Sequence, residues 1–249
     1  MLNTISHGEP GARPHLVVAH GLFGSARNWG VICRRLATDR QGSAGDMRNH
    51  GDRFWDASHT YADLADDLAG VIANAKTSQA DVLGHSMGGK AAMVLALTRP
   101  DLVRRLVIAD IAPVAYARTQ MDKITLMRGV DLDVATRAEV AAQMPGLEAG
   151  LAEFFLQSVD MKDKRWRLNL DALAVNMPAI MGFPEVAGSF AGKVLFLTGA
   201  ESDYVRPEHR ARIKTLFPNA IFVAIPGAGH WLHAQKPREF EAAVRTFLD

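Results

Sequence analysis

Only one cysteine, Cys33, occurs among the 249 residues, so no internal disulfide can form and a reducing compartment suits the chain. It lies in the helical pattern Val31-Ile32-Cys33-Arg34-Arg35-Leu36, where a small buried side chain is expected rather than a reactive thiol. Long apolar runs are missing as well. The stretch Ala91 to Leu97 is typical, far short of the ~20 residues that cross a bilayer, so no membrane span is expected. Charge of one sign is also lacking. With 28 Lys+Arg against 27 Asp+Glu, the formal net charge of +1 gives no argument for a nucleic-acid partner. The N-terminal Met1-Leu2-Asn3-Thr4-Ile5-Ser6-His7 has neither the basic patch nor the apolar run of a signal peptide, so a cytoplasmic protein is expected. No repeat or low-complexity segment interrupts the chain. A hydrophobic share of 48% is ordinary for a globular protein with a large core, and the length fits one α/β domain with an insertion, or two small domains.

What the chain does contain is a strand–helix rhythm. A short opening strand, Leu2 to Ser6, is followed by His15-Leu16-Val17-Val18-Ala19, too apolar to alternate, as parallel-sheet strands are. Helical patterns follow at Asn28 to Ala37 and at Tyr61 to Ala75, with Leu64, Leu68, Val71 and Ile72 on one face. Between them Arg40 to Asp46 is a strand by rhythm alone, because Gln41-Gly42-Ser43-Ala44-Gly45 has poor strand propensity. Further strands are expected at Ala80–Leu83, Arg105–Asp110, Lys193–Gly199 and Ala220–Ile225, with helices at Lys90–Leu97, Pro207–Phe217 and Lys236–Leu248. Such alternation predicts a mainly parallel sheet with right-handed crossovers and a functional site at the carboxyl ends of its strands. The rhythm breaks between Pro113 and Gly192 into helices and a short Arg165-Trp166-Arg167-Leu168 stretch. Six of the ten methionines (Met121, Met127, Met144, Met161, Met177 and Met181) fall there, as helical core or as adaptable substrate-facing surface.

The centre of the pattern is Leu83-Gly84-His85-Ser86-Met87-Gly88-Gly89-Lys90, a Gly-x-Ser-x-Gly match between a strand and a helix. The bare match arises by chance roughly 0.06 times in a chain of this composition; its flanking strand and helix make it a candidate nucleophile elbow. Glycines two residues either side of Ser86 remove the Cβ atoms that would collide in so sharp a turn. The Met87 N–H, at a helix N-terminus, is then one candidate oxyanion donor. The second lies in His20-Gly21-Leu22-Phe23-Gly24-Ser25: the N–H of Leu22, with that of Phe23 as the near alternative.

A serine nucleophile needs a base and a carboxylate that orients it. Of nine histidines, His230 lies after the last strand in Gly227-Ala228-Gly229-His230-Trp231, which satisfies the chain order Ser…Asp…His; His233 is the reserve. His20 is read as a brace of its loop, His85 as pointing away from Ser86, and His7, His15, His59 and His209 as surface or structural. The acid is either Asp110, at the end of the strand after the elbow helix, or Asp203, in the loop after Gly199; Asp110 is preferred because Ser202 holds the place expected of a later acid.

These motifs resemble the α/β-hydrolases, and more narrowly the small YbfF-type bacterial esterases. The resemblance rests on His20 to Ser25, Asp46-Met47-Arg48-Asn49-His50-Gly51, Gly84 to Lys90, Asp110-Ile111-Ala112-Pro113 and Gly227 to Trp231, and it extends over essentially the whole chain. Departures are the weak Gln41–Gly45 strand, Asp52 after the Asn-His-Gly turn, and Asp203 beside Ser202. The resemblance implies a core of residues 1–112 and 193–249 with a helical lid, 113–192, inserted after the strand ending at Asp110. It also implies hydrolysis of short acyl esters, sometimes thioesters, without cofactor or metal, by a monomer or homodimer. Ser86, His230 and Asp110 would then form the catalytic triad, supported by Ser202, with Leu22 and Met87 as the oxyanion hole and Phe23, Trp29, Tyr204 and Trp231 walling the pocket. A serine at the elbow separates the chain from dehalogenases and epoxide hydrolases of the same fold, which use aspartate. Two other readings are a thioesterase with the same triad and a ligand receptor with vestigial hydrolysis.

Overall fold

Seven strands form one sheet in the order Asn3–His7, Gly42–Asp46, Leu16–Ala19, Ala80–His85, Val103–Ala109, Lys193–Gly199 and Ala220–Ile225, all parallel except the first, which runs antiparallel to its neighbour. A computed structural model describes residues 2–52, 54–147 and 150–249; Met1 and Arg53 of the expected core and Glu148 and Ala149 of the expected lid lie outside them. The strands are β1 (Asn3–His7), β2 (Leu16–Ala19), β3 (Gly42–Asp46), β4 (Ala80–His85), β5 (Val103–Ala109), β6 (Val159–Asp160), β7 (Arg165–Trp166), β8 (Lys193–Gly199) and β9 (Ala220–Ile225). The two-residue β6 and β7 pair separately with each other. The unpromising Gln41–Gly45 stretch contributes a fully paired inner strand, bonded to β1 on one side and β2 on the other. A Cβ on Gly45 would meet Leu2 at 3.4 Å and one on Gly42 would meet the Cβ of Ala37 at 3.7 Å, both ordinary contacts, so the strand is set by its pairing on both sides rather than by its side chains.

Helices α1 (Gly30–Leu36) and α11 (Pro237–Leu248) cover one face of the sheet, and α2 (Tyr61–Asn74) and α3 (Met87–Thr98) the other. Because side chains alternate across a strand, Val17 and Ala19 join the α2/α3 core while Leu16 and Val18 join Trp29, Ile32 and Phe240 opposite. Thr60 opens α2 by accepting from the Asp63 N–H, and the Asp63 carboxylate accepts from the Thr60 N–H in return. Cys33 is fully buried within the second core, which pushes its thiol up to about 12.

Residues between β5 and β8 form α4 (Met121–Arg128), α5 (Arg137–Ala142), α6 (Leu151–Leu156), α7 (Leu170–Val175) and α8 (Met177–Met181). This insertion is tied to the sheet's carboxyl edge by backbone and side-chain bonds: Gly51 N–H to Arg167 O (2.8 Å), Asn169 N–H to Asn49 O (2.9 Å) and Tyr61 Oη to Ile180 O (2.6 Å). Arg165 adds an ion pair to Asp52 at 2.7 Å, which gives that departure from the family pattern a partner in the insertion. The chain closes with α9 (His209–Leu216), α10 (Leu232–Gln235) and α11.

The carboxyl edge is crowded by design of its glycines. A Cβ on Gly88 would lie 2.5 Å from the carbonyl oxygens of Ala19 and His20, so α3 presses its first turn directly on the end of β2. Backbone strain collects there too: Phe23 (φ 65), Asn49 (φ 64), Ser86 (φ 52) and Asp110 (φ 52) all adopt left-handed conformations just after strands. Under this edge lie several buried histidines. Burial lowers His20 to about 4 and His50, His59 and His233 to about 3, and holds His85 well below its ordinary value.

Two outcomes follow from this packing. Gly88→Ala should lower unfolding stability by about 1–3 kcal/mol, read as a lower urea midpoint at unchanged slope, since the added methyl meets backbone that cannot rotate away. The buried histidines stay neutral while an unfolded chain takes up protons below about pH 6.5. Their contribution to stability is therefore complete above that pH and is lost as the pH falls toward the folded values near 4 and 3. Urea midpoints measured at pH 7.5 and 5.5 should fall accordingly, by up to about 1 kcal/mol per pH unit for each such histidine; an unchanged midpoint would contradict their neutral burial.

Candidate active site

Adjacent strands β4 and β5 end on Ser86 and Asp110. The backbone pins both turns: Ser86 N–H donates to Ala109 O at 3.1 Å, and Asp110 N–H donates to Leu197 O at 2.9 Å. Ser86 sits at φ 52, ψ −121, so the chain reverses into α3 and the hydroxyl stands off the sheet edge. The loop after β9 brings His230 across. Its Nε2 lies 3.1 Å from Ser86 Oγ and its Nδ1 2.7 Å from Asp110 Oδ2. A carboxylate only accepts, so Nδ1 carries the proton and the Nε2 lone pair faces the serine hydroxyl.

Asp110 is fully buried, yet its carboxylate is well supplied with donors. Besides His230, Ser202 Oγ donates to Oδ2 at 2.5 Å and the Gly199 N–H to Oδ1 at 3.3 Å. Asp203 goes elsewhere: it is exposed and pairs with Arg118 at 3.0 Å, a hydrogen bond that lowers its pKa. Tyr204 stacks on His230 with centroids 3.8 Å apart and planes at 14°, and its carbonyl accepts from Tyr116 Oη at 2.7 Å. His85 turns away from Ser86, and its Nε2 bonds the His230 carbonyl at 2.9 Å. His233, the reserve base, is buried instead against Trp29 with centroids 4.3 Å apart, and its Nδ1 finds no partner among the described residues.

A cavity opens beside Ser86. Leu22, Phe23, Met87, Tyr204 and Trp231 line it, with Ile111, Phe154, Phe155 and Met181. Trp29, expected in this wall, does not reach it. The 3-10 turn Ala26–Trp29 drops the indole, 1% exposed, into the opposite core beside Phe240. Met127, Met144 and Met177 of the insertion are buried core, and Met181 alone of its six methionines meets the cavity.

Sequence reading passed over several contributors. Lys90 is 1% exposed, and its Nζ donates to the carbonyls of Met181 and Gly182 at the end of α8 while facing the Tyr116 ring at 4.7 Å. Desolvation lowers this amine to about 7. Its signal was its place one helical turn after Ser86 in an otherwise apolar helix, which puts both on one face. His59, read as surface or structural, is buried with its Nε2 3.3 Å from Met87 Sδ. Among the described residues no cluster of three or more His, Cys, Asp or Glu side chains is arranged to hold a metal ion, and no helix is long and apolar enough to cross a membrane.

Known proteins share both sequence and geometry. The profile of the "Alpha/beta hydrolase family" matches residues 16–243. The sn-1-specific diacylglycerol lipase ABHD11 of Mus musculus is 38% identical over 248 residues, 94% of this chain and 81% of that protein. Esterase YbfF of Escherichia coli is 37% identical over 238 residues, 94% of this chain and 92% of its own length. The solved structure of a marine microorganism esterase superposes with a TM-score of 0.92 at 35% identity, covering 99% of this chain and 98% of the other. With its parallel sheet flanked by helices and relatives named as esterases and lipases, this chain belongs to the alpha/beta hydrolase family as a hydrolase of the serine carboxylesterase type.

Proposed function

We propose that the protein hydrolyses short-to-medium acyl esters through an acyl-enzyme formed on Ser86, with His230 as general base and acid and Asp110 as the orienting carboxylate. The observation that carries this reading is the unbroken line from Ser86 Oγ to His230 Nε2 (3.1 Å) and from His230 Nδ1 to Asp110 Oδ2 (2.7 Å). His230 takes the Ser86 proton as the oxygen attacks the ester carbonyl. The N–H groups of Leu22 and Met87 receive the oxyanion, each contributing on the order of 3 kcal/mol to the barrier reduction. His230 then protonates the leaving alcohol, activates water, and returns the proton to Ser86 as the acid leaves. Asp110 holds the ring in the Nδ1-protonated tautomer throughout, and Ser202 holds Asp110.

Choice between Leu22 and Phe23 as the second donor is supported by what each already bonds. The Phe23 N–H donates to His50 Nε2 at 3.0 Å, whereas no partner of the Leu22 N–H is found among the described residues. Residues 113–192 serve in this reading as a lid, its Phe154, Phe155 and Met181 forming the far wall of the acyl pocket. The apolar wall favours an acyl chain over a charged substrate group.

Ser86→Ala should abolish both ester turnover and labelling by a fluorophosphonate; labelling retained at wild-type level would remove Ser86 from its role. Asp110→Asn should lower kcat roughly 1,000-fold or more by presenting the wrong tautomer of His230. Asp203→Asn should change it about twofold or less, as for an exposed surface pair. The reverse ranking would transfer the acid's role to Asp203. A panel of paired esters and thioesters across acyl lengths measures the substrate range directly.

A further inference from the structure

The loop Asp46–Gly51 supplies no group to the proposed reaction, yet it grips the backbone that does. Gly24 N–H donates to Gly21 O at 3.0 Å, closing a four-residue turn over Gly21, Leu22, Phe23 and Gly24. With a positive φ at Phe23 alone, this is the type II form, which normally places glycine at its third residue. A phenylalanine there is strained. The strained residue is held at both its polar atoms: its N–H donates to His50 Nε2 at 3.0 Å, and its carbonyl accepts from Ser158 Oγ at 3.2 Å. His50 is itself fixed, because its Nδ1–H donates to Arg48 O at 2.9 Å, leaving Nε2 as the acceptor.

The neighbouring peptide is pinned in the same manner. Gly21 O, which shares a peptide plane with the Leu22 N–H, accepts from His20 Nδ1 at 2.8 Å as well as from Gly24. His20 Nε2 accepts in turn from the Met47 N–H at 3.0 Å, on the same loop as His50. The simplest relaxation open to the turn is rotation of the Leu22–Phe23 peptide, which would relieve the positive φ at Phe23. That rotation would point the Leu22 carbonyl at the His50 Nε2 lone pair, two acceptors face to face.

We propose that His50 is a positioning residue for the oxyanion site: by accepting the Phe23 N–H it holds the strained half of the turn rigid, so that the adjoining Gly21–Leu22 peptide, fixed at Gly21 O by His20 and Gly24, keeps the Leu22 N–H directed at the substrate. This inference rests on the reading of Leu22 and Met87 as the oxyanion donors. The burial that keeps His50 neutral preserves its acceptor.

His50→Leu removes the acceptor, whereas His50→Gln keeps one near the Nε2 position. His50→Leu should lower kcat roughly 10- to 100-fold with KM within about threefold, and His50→Gln should stay within about fivefold of the unaltered protein. A second readout is the rate ratio between an oxoester and its thionoester, whose longer, weakly accepting C=S fits the donors poorly. His50→Leu should compress this ratio toward one, while partial unfolding would lower both rates equally and leave it unchanged. Equal damage from Leu and Gln, or a reduced kcat with an unchanged ratio, overturns the proposal. Should His50→Leu fail to fold, replacing Phe23 by its α-hydroxy acid analogue deletes the same N–H without changing a side chain. The same fall in kcat is then expected, and an unchanged kcat overturns the proposal. Absence of Ser86-dependent turnover in the unaltered protein overturns the reaction as well as this inference; normal turnover with His50→Leu equal to it overturns the inference alone.

Discussion

The first turn of α3 lies so close to the end of β2 that a single methyl on Gly88 would strike the Ala19 and His20 carbonyls at 2.5 Å. This approach is the constraint on which the rest of the edge depends. It sets Met87 beside the Gly21–Gly24 turn, so residues from distant parts of the sequence line one cavity with Ser86. In the same first turn Ser86 adopts a positive φ, with its hydroxyl 3.1 Å from His230 Nε2. Strain at Phe23, Asn49, Ser86 and Asp110 is thus concentrated in one layer, while the strands beneath are a regular parallel ladder that holds it in place.

Much of this was legible in the residues. The apolar runs of β2, β4, β5 and β8 mark buried parallel strands, and the Gly-x-Ser-x-Gly turn announces itself once a strand precedes it and a helix follows. Ser86, Asp110, Ser202 and His230 each stand just after a strand, where a parallel sheet gathers its functional groups. β3 was poorly marked because strand propensity reflects packing of side chains on an open surface, whereas this strand is held by backbone pairing on both sides. Trp29 was misread because a residue near an active-site loop in sequence can turn under the sheet within one 3-10 turn. Contacts made by the insertion were invisible for another reason. Ser158 meets Phe23 across 135 residues, and Lys90 meets Met181 across 91, with no periodicity to forecast either.

The polar groups beneath the edge follow a single logic. Histidines 20, 50 and 59 are buried as neutral rings, each with a nitrogen bonded to, or against, a residue that shapes the cavity. Neutral imidazole offers one donor and one acceptor in a rigid ring, so it can join two backbone segments without the desolvation cost of a charge. Lys90 takes the opposite course. Its amine donates to the carbonyls at the end of α8 and faces the Tyr116 ring, with no carboxylate bonded to it among the described residues, and burial there lowers it to about 7. Both arrangements keep acidic side chains out of the cavity lining and leave Asp110, behind His230, as the negative charge beside the relay.

Asp110 Oδ2 receives His230 from one side and the Ser202 hydroxyl from the other, so the ends of β5 and β8 converge on one imidazole edge. Two donors on one oxygen couple the loop after β8 to the loop after β9, so a shift of Ser202 is felt at the ring of His230.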